Sequence, residues 1–257
     1  MRPVTVQGHF GEWLQGRIGS DGPVALVTVV CPALQVTAPG DGAMPFSPED
    51  LAAFATRLGL GALPGASRNF ELGIGAGAST ATLVALARAA GFDGAPEALA
   101  RACIAIEGAS DPLMFASPDQ LLWASRRGQV LRDLAPPPRA VVLGGQWGAP
   151  QRTEAGDADF DDITDLATDW MAASQNRDLP RAAAIASASA ARCTARRGPG
   201  DPMADLAREL GALGVIRAHT GSARGLVFAP GALPAQGAAA LAEAGLTGVL
   251  SFETGAP

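Results

Sequence analysis

Residues 73–81 read Gly-Ile-Gly-Ala-Gly-Ala-Ser-Thr-Ala and run straight into Thr82-Leu83-Val84-Ala85-Leu86-Ala87-Arg88-Ala89-Ala90. A glycine loop that opens a helix is a device for holding phosphate. Gly73, Gly75 and Gly77 alternate, which lets the backbone come close to a ligand and turn several N–H groups toward it. The helix adds unpaired N–H groups and a partial positive charge at its start. Ser79 and Thr80 stand where a hydroxyl can cap the helix or reach a bound cation. The pattern is not the Walker one, because no Gly-Lys-Ser/Thr is present and lysine is absent from the chain. A tight turn that serves only packing is the competing reading.

Two carboxylates follow. Glu107 falls in the last turn of a helix that starts at Pro96-Glu97, so it faces the negative end of the helix dipole. A residue placed against its local field often binds a cation. Asp111 lies four residues on, between Ser110 and Pro112. Beside a phosphate cradle, one carboxylate can hold a magnesium ion and the other can accept or orient the proton of an attacking hydroxyl. The structural alternatives are a solvated helix end for Glu107 and a turn before proline for Asp111.

These residues need elements to position them. Val4–Val6 reads as a short strand before a turn-rich Gly8-His9-Phe10-Gly11. Pro23–Val30 and Ala33–Thr37 read as strands, 38–48 as a loop, and Leu51–Leu58 as a helix. Asn69–Leu72 reads as a strand feeding the glycine loop, and Ser79–Ala90 as a helix. In the next helix Leu99, Cys103 and Ile106 share a core-facing side. Gln120–Ala124 and Gln129–Leu131 form a hairpin around Arg126-Arg127-Gly128. Pro136-Pro137-Pro138 divides the chain into domains 1–135 and 139–257. Beyond it come a strand at Ala140–Leu143 and an acidic segment (Asp157, Asp159, Asp161, Asp162). Helices follow near Phe160–Ser174, Pro180–Ala191 and Met203–Leu213, then strands Val215–Ala218 and Leu226–Phe228 around a turn, Thr220–Gly225. A helix at Ala238–Ala244 and a strand at Gly248–Phe252 complete the plan, which is α+β.

Composition narrows the function. The net charge is −6, which argues against nucleic acid as a partner. No apolar run reaches the roughly 20 residues a membrane span needs. The start, Met1-Arg2-Pro3-Val4-Thr5-Val6, has no apolar signal segment. Cys31, Cys103 and Cys193 are scattered and odd in number, as in a reducing compartment. The expectation is a cytoplasmic protein.

Two further glycine-dense stretches flank the central loop: Gly8-His9-Phe10-Gly11-Glu12-Trp13-Leu14-Gln15-Gly16 and Ala218-His219-Thr220-Gly221-Ser222-Ala223-Arg224-Gly225-Leu226. In order, the three resemble the motifs of the GHMP kinases, which act on galactose, homoserine, mevalonate and phosphomevalonate. The resemblance spans nearly the whole chain. It is similar most of all to the L-threonine kinase branch of propanediol utilisation and cobalamin synthesis. Gly8–Gly16 resembles that branch's Gly-x-x-Gly-Glu-Leu-x-Gln-Gly. Ile106-Glu107-Gly108-Ala109-Ser110-Asp111 with Met114-Phe115 resembles its Val-Glu-Pro-Thr-Asp-x-x-Met-Phe. Ala218–Ser222 with Gly225-Leu226 resembles its Ala-His-Ser-Gly-Thr-x-x-Gly-Leu.

The resemblance implies an N-terminal ATP-binding domain with a left-handed β-α-β unit, a C-terminal ferredoxin-like domain and an active site in the cleft between them. It implies that Gly73, Gly75, Ala76, Gly77, Ala78, Ser79 and Thr80 bind the phosphates of ATP, that Ser79 and Glu107 hold Mg²⁺, and that Asp111 acts on the acceptor hydroxyl. His9, Glu12, Gln15, His219, Gly221 and Ser222 fall on the substrate side. The acceptor is a small-molecule alcohol or amino acid, L-threonine first, giving O-phospho-L-threonine; a homodimer is compatible with it. Ala78 stands where a serine is usual, and Thr82 replaces an aspartate of the threonine kinase branch. With no lysine, an arginine such as Arg224 has to face the transferred phosphate. Another acceptor (homoserine or an isoprenoid alcohol) and a non-catalytic nucleotide-binding protein stay open as rivals.

Overall fold

The computed structural model describes residues 3–151, 154–198 and 200–255. One antiparallel sheet carries nine strands: β1 (Val4–Arg17), β2 (Val24–Ala38), β3 (Ser67–Arg68), β4 (Leu121–Ala124), β5 (Gln129–Asp133), β6 (Ala140–Gln146), β7 (Gly214–Arg217), β8 (Ala223–Phe228) and β9 (Thr247–Thr254). Their order is β5-β4-β2-β1-β7-β8-β6-β9, with β3 added to β2. Helices α1 (Pro48–Arg57), α2 (Ala78–Ala89) and α3 (Pro96–Glu107) belong to the N-terminal half. Helices α4 (Thr164–Gln175), α5 (Leu179–Arg197), α6 (Met203–Leu210) and α7 (Gly237–Glu243) belong to the C-terminal half. The latter runs β-α-β-β-α-β with strand order β7-β8-β6-β9, a ferredoxin-like plan whose first crossover holds three helices. Pro136–Pro138 link β5 to β6. No described helix is long and apolar enough to cross a membrane.

Both faces of the central strands are covered, which explains their composition. Along β2, Leu26 and Val36 join a core with Phe54 of α1, Leu83 and Leu86 of α2, and Leu99 and Cys103 of α3. Val27 and Val29 join the opposite core with Trp170 of α4 and Ala182 and Ala186 of α5. Trp13 and Trp170 pack there with ring centroids 5.4 Å apart. A third core, Leu143, Leu226 and Phe228 with Met203, Leu206 and Leu241, seats α6 and α7.

The N-terminal turn expected at Gly8–Gly11 is instead part of β1, a strand of 14 residues. Its alternation is hidden because residues on both faces are buried, including polar His9, Glu12 and Gln15. The irregularity is real but lies in the pairing: Gln7 sits opposite Gln35 whereas Gly8 sits opposite Cys31, so β2 bulges by three residues. The two strands expected at 23–30 and 33–37 are therefore one, with the break read as a boundary being this bulge. The strand expected at Asn69–Leu72 is also absent; only Ser67–Arg68 pair with β2. Asn69 instead ties the loop down, its Oδ1 accepting from Gln35 N at 2.8 Å.

Candidate active site

The glycine loop is shaped by backbone and not by side chains. Gly73, Gly75 and Gly77 have φ of 80°, 79° and 70°, the left-handed region that other residues avoid. Gly77 is the N-cap of α2 and supplies no side-chain acceptor to the helix start. The loop is pinned on both sides. His9 N and Gly11 N of β1 donate to Ala76 O and Gly75 O, and Ala223 N of β8 donates to Ile74 O. The fit is close: a Cβ on Gly75 would lie 2.2 Å from Ala218 Cβ, and one on Gly221 would lie 2.2 Å from Gly75 N. The three glycine stretches are thus one packed unit.

Ser79 and Thr80, in the first turn of α2, do not cap it. Both hydroxyls donate to the Glu107 carboxylate, Ser79 Oγ to Oε2 at 2.5 Å and Thr80 Oγ1 to Oε1 at 2.7 Å. Glu107 is the last residue of α3, against that helix's dipole, but its carboxylate meets the positive start of α2. Burial pushes its pKa up to about 8, against the two hydroxyl bonds that favour the charged form. No salt bridge gives Glu107 a cation among the described residues. A buried carboxylate with hydroxyl neighbours and no counter-charge suits a hard divalent ion. No group of three His, Cys, Asp or Glu suited to a metal exists among the described residues. An ion here would rely on Ser79, Glu107 and the phosphates of its nucleotide, the usual style for Mg²⁺.

Asp111 follows the same junction, its N–H 3.2 Å from Thr80 Oγ1. Ser110 anchors the turn: its N–H donates to Ser125 O at 2.9 Å, and its carbonyl accepts from Trp123 Nε1 at 2.6 Å. Asp111 Oδ2 is 3.3 Å from His9 Nε2, and His9 Nδ1 is 3.7 Å from Glu12 Oε1. Burial disfavours a charged His9, but the Asp111 and Glu12 carboxylates outweigh it and raise the pKa to about 9. Burial pushes Glu12 up to about 8, partly opposed by the His9 charge. Asp111 thus favours the imidazolium form of His9, while burial favours the protonated form of Glu12 behind it. His219 is the opposite case: burial, then the charges of Arg126 and Arg197, hold it well below the ordinary range, so it is neutral.

The His9 arrangement carries a pH prediction. A histidine raised from 6.5 to about 9 stabilises the fold fully below pH 6.5 and loses that contribution as the pH rises through 9. Glu12, raised from 4.5 to about 8, acts in the same sense between those values, since the folded state again holds the extra proton. Denaturant unfolding of the nucleotide-free protein should therefore show stability falling with rising pH, and His9→Gln should shrink the loss between pH 6.5 and 9, leaving the share due to Glu12. A parent profile that rises over that interval would contradict the pairing.

These groups line one cavity of about 320 Å³. Its wall includes Gly73, Gly75 and Ala76–Thr80 from the glycine loop, Glu107 and Asp111, His9 and Glu12, and His219 with Thr220. Three expected substrate residues are not in that wall. Gln15 Nε2 donates to Arg217 O at 2.9 Å and joins β1 to β7. Gly221 packs on the glycine loop, and Ser222 is buried, its carbonyl accepting from Trp147 N at 2.8 Å. Arg224 is not the phosphate cation either: it is 3% exposed, pairs with Asp201 at 2.8 Å and donates to Gly221 O and Ala223 O. Thr82 turns back on its own helix, Oγ1 donating to Ala78 O at 2.7 Å. Sequence reasoning missed Arg126, which lines the cavity from the β4–β5 turn, and Pro45, Phe46 and Asp50, which close it from the loop before α1 and from α1 itself. The Arg-Arg-Gly turn and the Pro/Gly-rich loop carried only turn signals.

No family profile matches the chain, and no curated protein sequence does. Solved structures do. The L. major mevalonate kinase in complex with R-mevalonate aligns with a TM-score of 0.61 at 14% identity, covering 98% of each chain. Homoserine kinase from Cytophaga hutchinsonii aligns at 0.58 and 13%, over 100% of this chain and 95% of that one. The Streptococcus pneumoniae phosphomevalonate kinase aligns at 0.58 and 12%, over 100% and 99%. At such identities the likeness shows the fold alone, an α+β arrangement shared with these kinases.

Proposed function

We propose that this chain is an ATP- and Mg²⁺-dependent kinase that phosphorylates a hydroxyl of a small molecule, with L-threonine as acceptor. The observation that carries the reading is the convergence of Ser79, Glu107 and Asp111 on the open start of α2. In this reading the backbone of Gly73–Thr80 cradles the phosphates, and Pro45, Phe46 and Leu72 offer the nucleoside an apolar wall. Ser79 and Glu107 would hold the cation, which would supply positive charge beside the phosphates. Asp111, oriented by the His9 imidazolium, accepts or directs the acceptor's hydroxyl proton. The chain supplies position and charge, which phosphoryl transfer mainly requires.

L-threonine is supported by the motif matches around Glu12, Asp111 and His219 and by the polar character of the wall they form. ADP formation should be measured with ATP–Mg²⁺ and L-threonine, L-homoserine, mevalonate or an uncharged alcohol at equal concentration. The highest kcat/KM is expected for L-threonine. Preference for another acceptor would replace the substrate, and nucleotide binding without turnover on any would replace the kinase reading.

A further inference from the structure

Arg126 is the arginine in the described part of the cavity wall, and its own hydrogen bonds leave it under-used. Its guanidinium has five donors. Nη1 donates to Ser125 Oγ at 3.0 Å, Nη2 makes one long contact to Asp157 O at 3.4 Å, and Nε has no acceptor. No carboxylate lies within salt-bridge range of it among the described residues. A largely buried cation without a counter-ion is unfavourable, and burial lowers its pKa in spite of the more distant Asp111 and Asp157 charges.

Its place in the wall says which anion would suit it. Arg126 follows Ser125, whose carbonyl is bonded to Ser110 N, the residue before Asp111. It also acts on buried His219 through its charge. Arg126 is therefore on the Asp111 and His219 side of the cavity, the side proposed for the acceptor. Asp157, whose carbonyl steadies it, is itself held by an ion pair to Arg197.

Resting on the kinase reading above, we propose that Arg126 binds a carboxylate of the acceptor, so the enzyme selects hydroxylated carboxylic acids over neutral alcohols. A guanidinium meets a carboxylate through paired N–H donors, and a neutral amide cannot reproduce the charge.

The test compares L-threonine and L-homoserine with their carboxamides, in the parent and in Arg126→Gln and Arg126→Lys. The parent should prefer each acid over its amide by about 10–100-fold in kcat/KM, the range for a hydrogen bond to a charged group. Arg126→Gln should erase that ratio, mainly through KM for the acid, and leave the amides within about threefold. Arg126→Lys should restore part of it. Thermal melts of each variant check that the fold is kept. An unchanged acid-to-amide ratio in Arg126→Gln overturns the proposal. So does a raised KM for ATP with that ratio intact, which would assign Arg126 to the nucleotide. Should no acceptor turn over, calorimetric titration of L-threonine into the protein with a non-hydrolysable ATP analogue still decides: binding that Arg126→Gln does not weaken overturns the carboxylate role alone. If the parent binds neither the analogue nor the acid, the kinase reading falls as well.

Discussion

Replacing Asp111 by asparagine is expected to lower kcat by about 10²–10⁴-fold, the contribution usual for a general base, with little change in ATP affinity. Asparagine keeps the size but can neither take the acceptor's proton nor balance the His9 imidazolium 3.3 Å away. His9, buried and left with Glu12 alone, then loses much of its reason to be charged. The variant's stability should therefore depend less on pH between 6.5 and 9 than the parent's, a second readout independent of turnover. Glu107→Gln should behave differently, raising the Mg²⁺ concentration for half-maximal rate. A loss under roughly tenfold in Asp111→Asn would point to positioning as the main effect. Full rate and unchanged metal dependence in both variants would return Glu107 and Asp111 to a helix end and a turn.

Gly77→Val should abolish nucleotide binding and weaken the fold. At φ +70° a β-branched residue is strained by about 1–3 kcal/mol. Its Cβ would also lie 2.7 Å from Leu113 Cδ1 and 2.8 Å from His9 Cδ2. Pushing His9 away disturbs its contact with Asp111, so one substitution damages both the phosphate cradle and the proposed base. For a chain of this size each kcal/mol corresponds to about 2–4 °C in Tm. Calorimetric titration with an ATP analogue and a thermal melt measure the two effects. Unimpaired binding of the analogue would remove this loop from the nucleotide site.

What could be read in the sequence was what has a local cause. Gly73–Gly77 announce a loop that only glycine fits, and Pro96 with Gly108 bracket α3. The approach of Glu107 to Ser79 and Thr80 was legible as an electrostatic oddity, a carboxylate against its own helix dipole, although the partner helix that reverses that field was not. β1 failed because its signal is non-local. Gly8, His9, Gly11 and Glu12 have turn-like or polar character, yet they sit in a strand because Ala76 O, Gly75 O and Arg217 approach from elements far along the chain. Arg126 and Arg224 show the same limit from the other side. Nothing near either arginine in sequence says that one pairs with Asp201 while the other faces the cavity.

The meeting of β1 and β7, through Glu12 opposite Arg217 and the Gln15–Arg217 bond, spans 202 residues for the latter contact. During synthesis at about 5–20 residues per second, the first strand waits about 10–40 s for its partner to be made. Until then β1 has β2 on one side, while on the other the glycine loop reaches His9 and Gly11 and no strand pairs with Glu12. The N-terminal half can assemble the glycine loop, Glu107 and Asp111 early, but His219 and the turn that pins Ile74 arrive last. The nascent chain thus passes through a stage with an open sheet edge at the heart of its own cavity, the feature most exposed to mispairing with a neighbouring nascent chain.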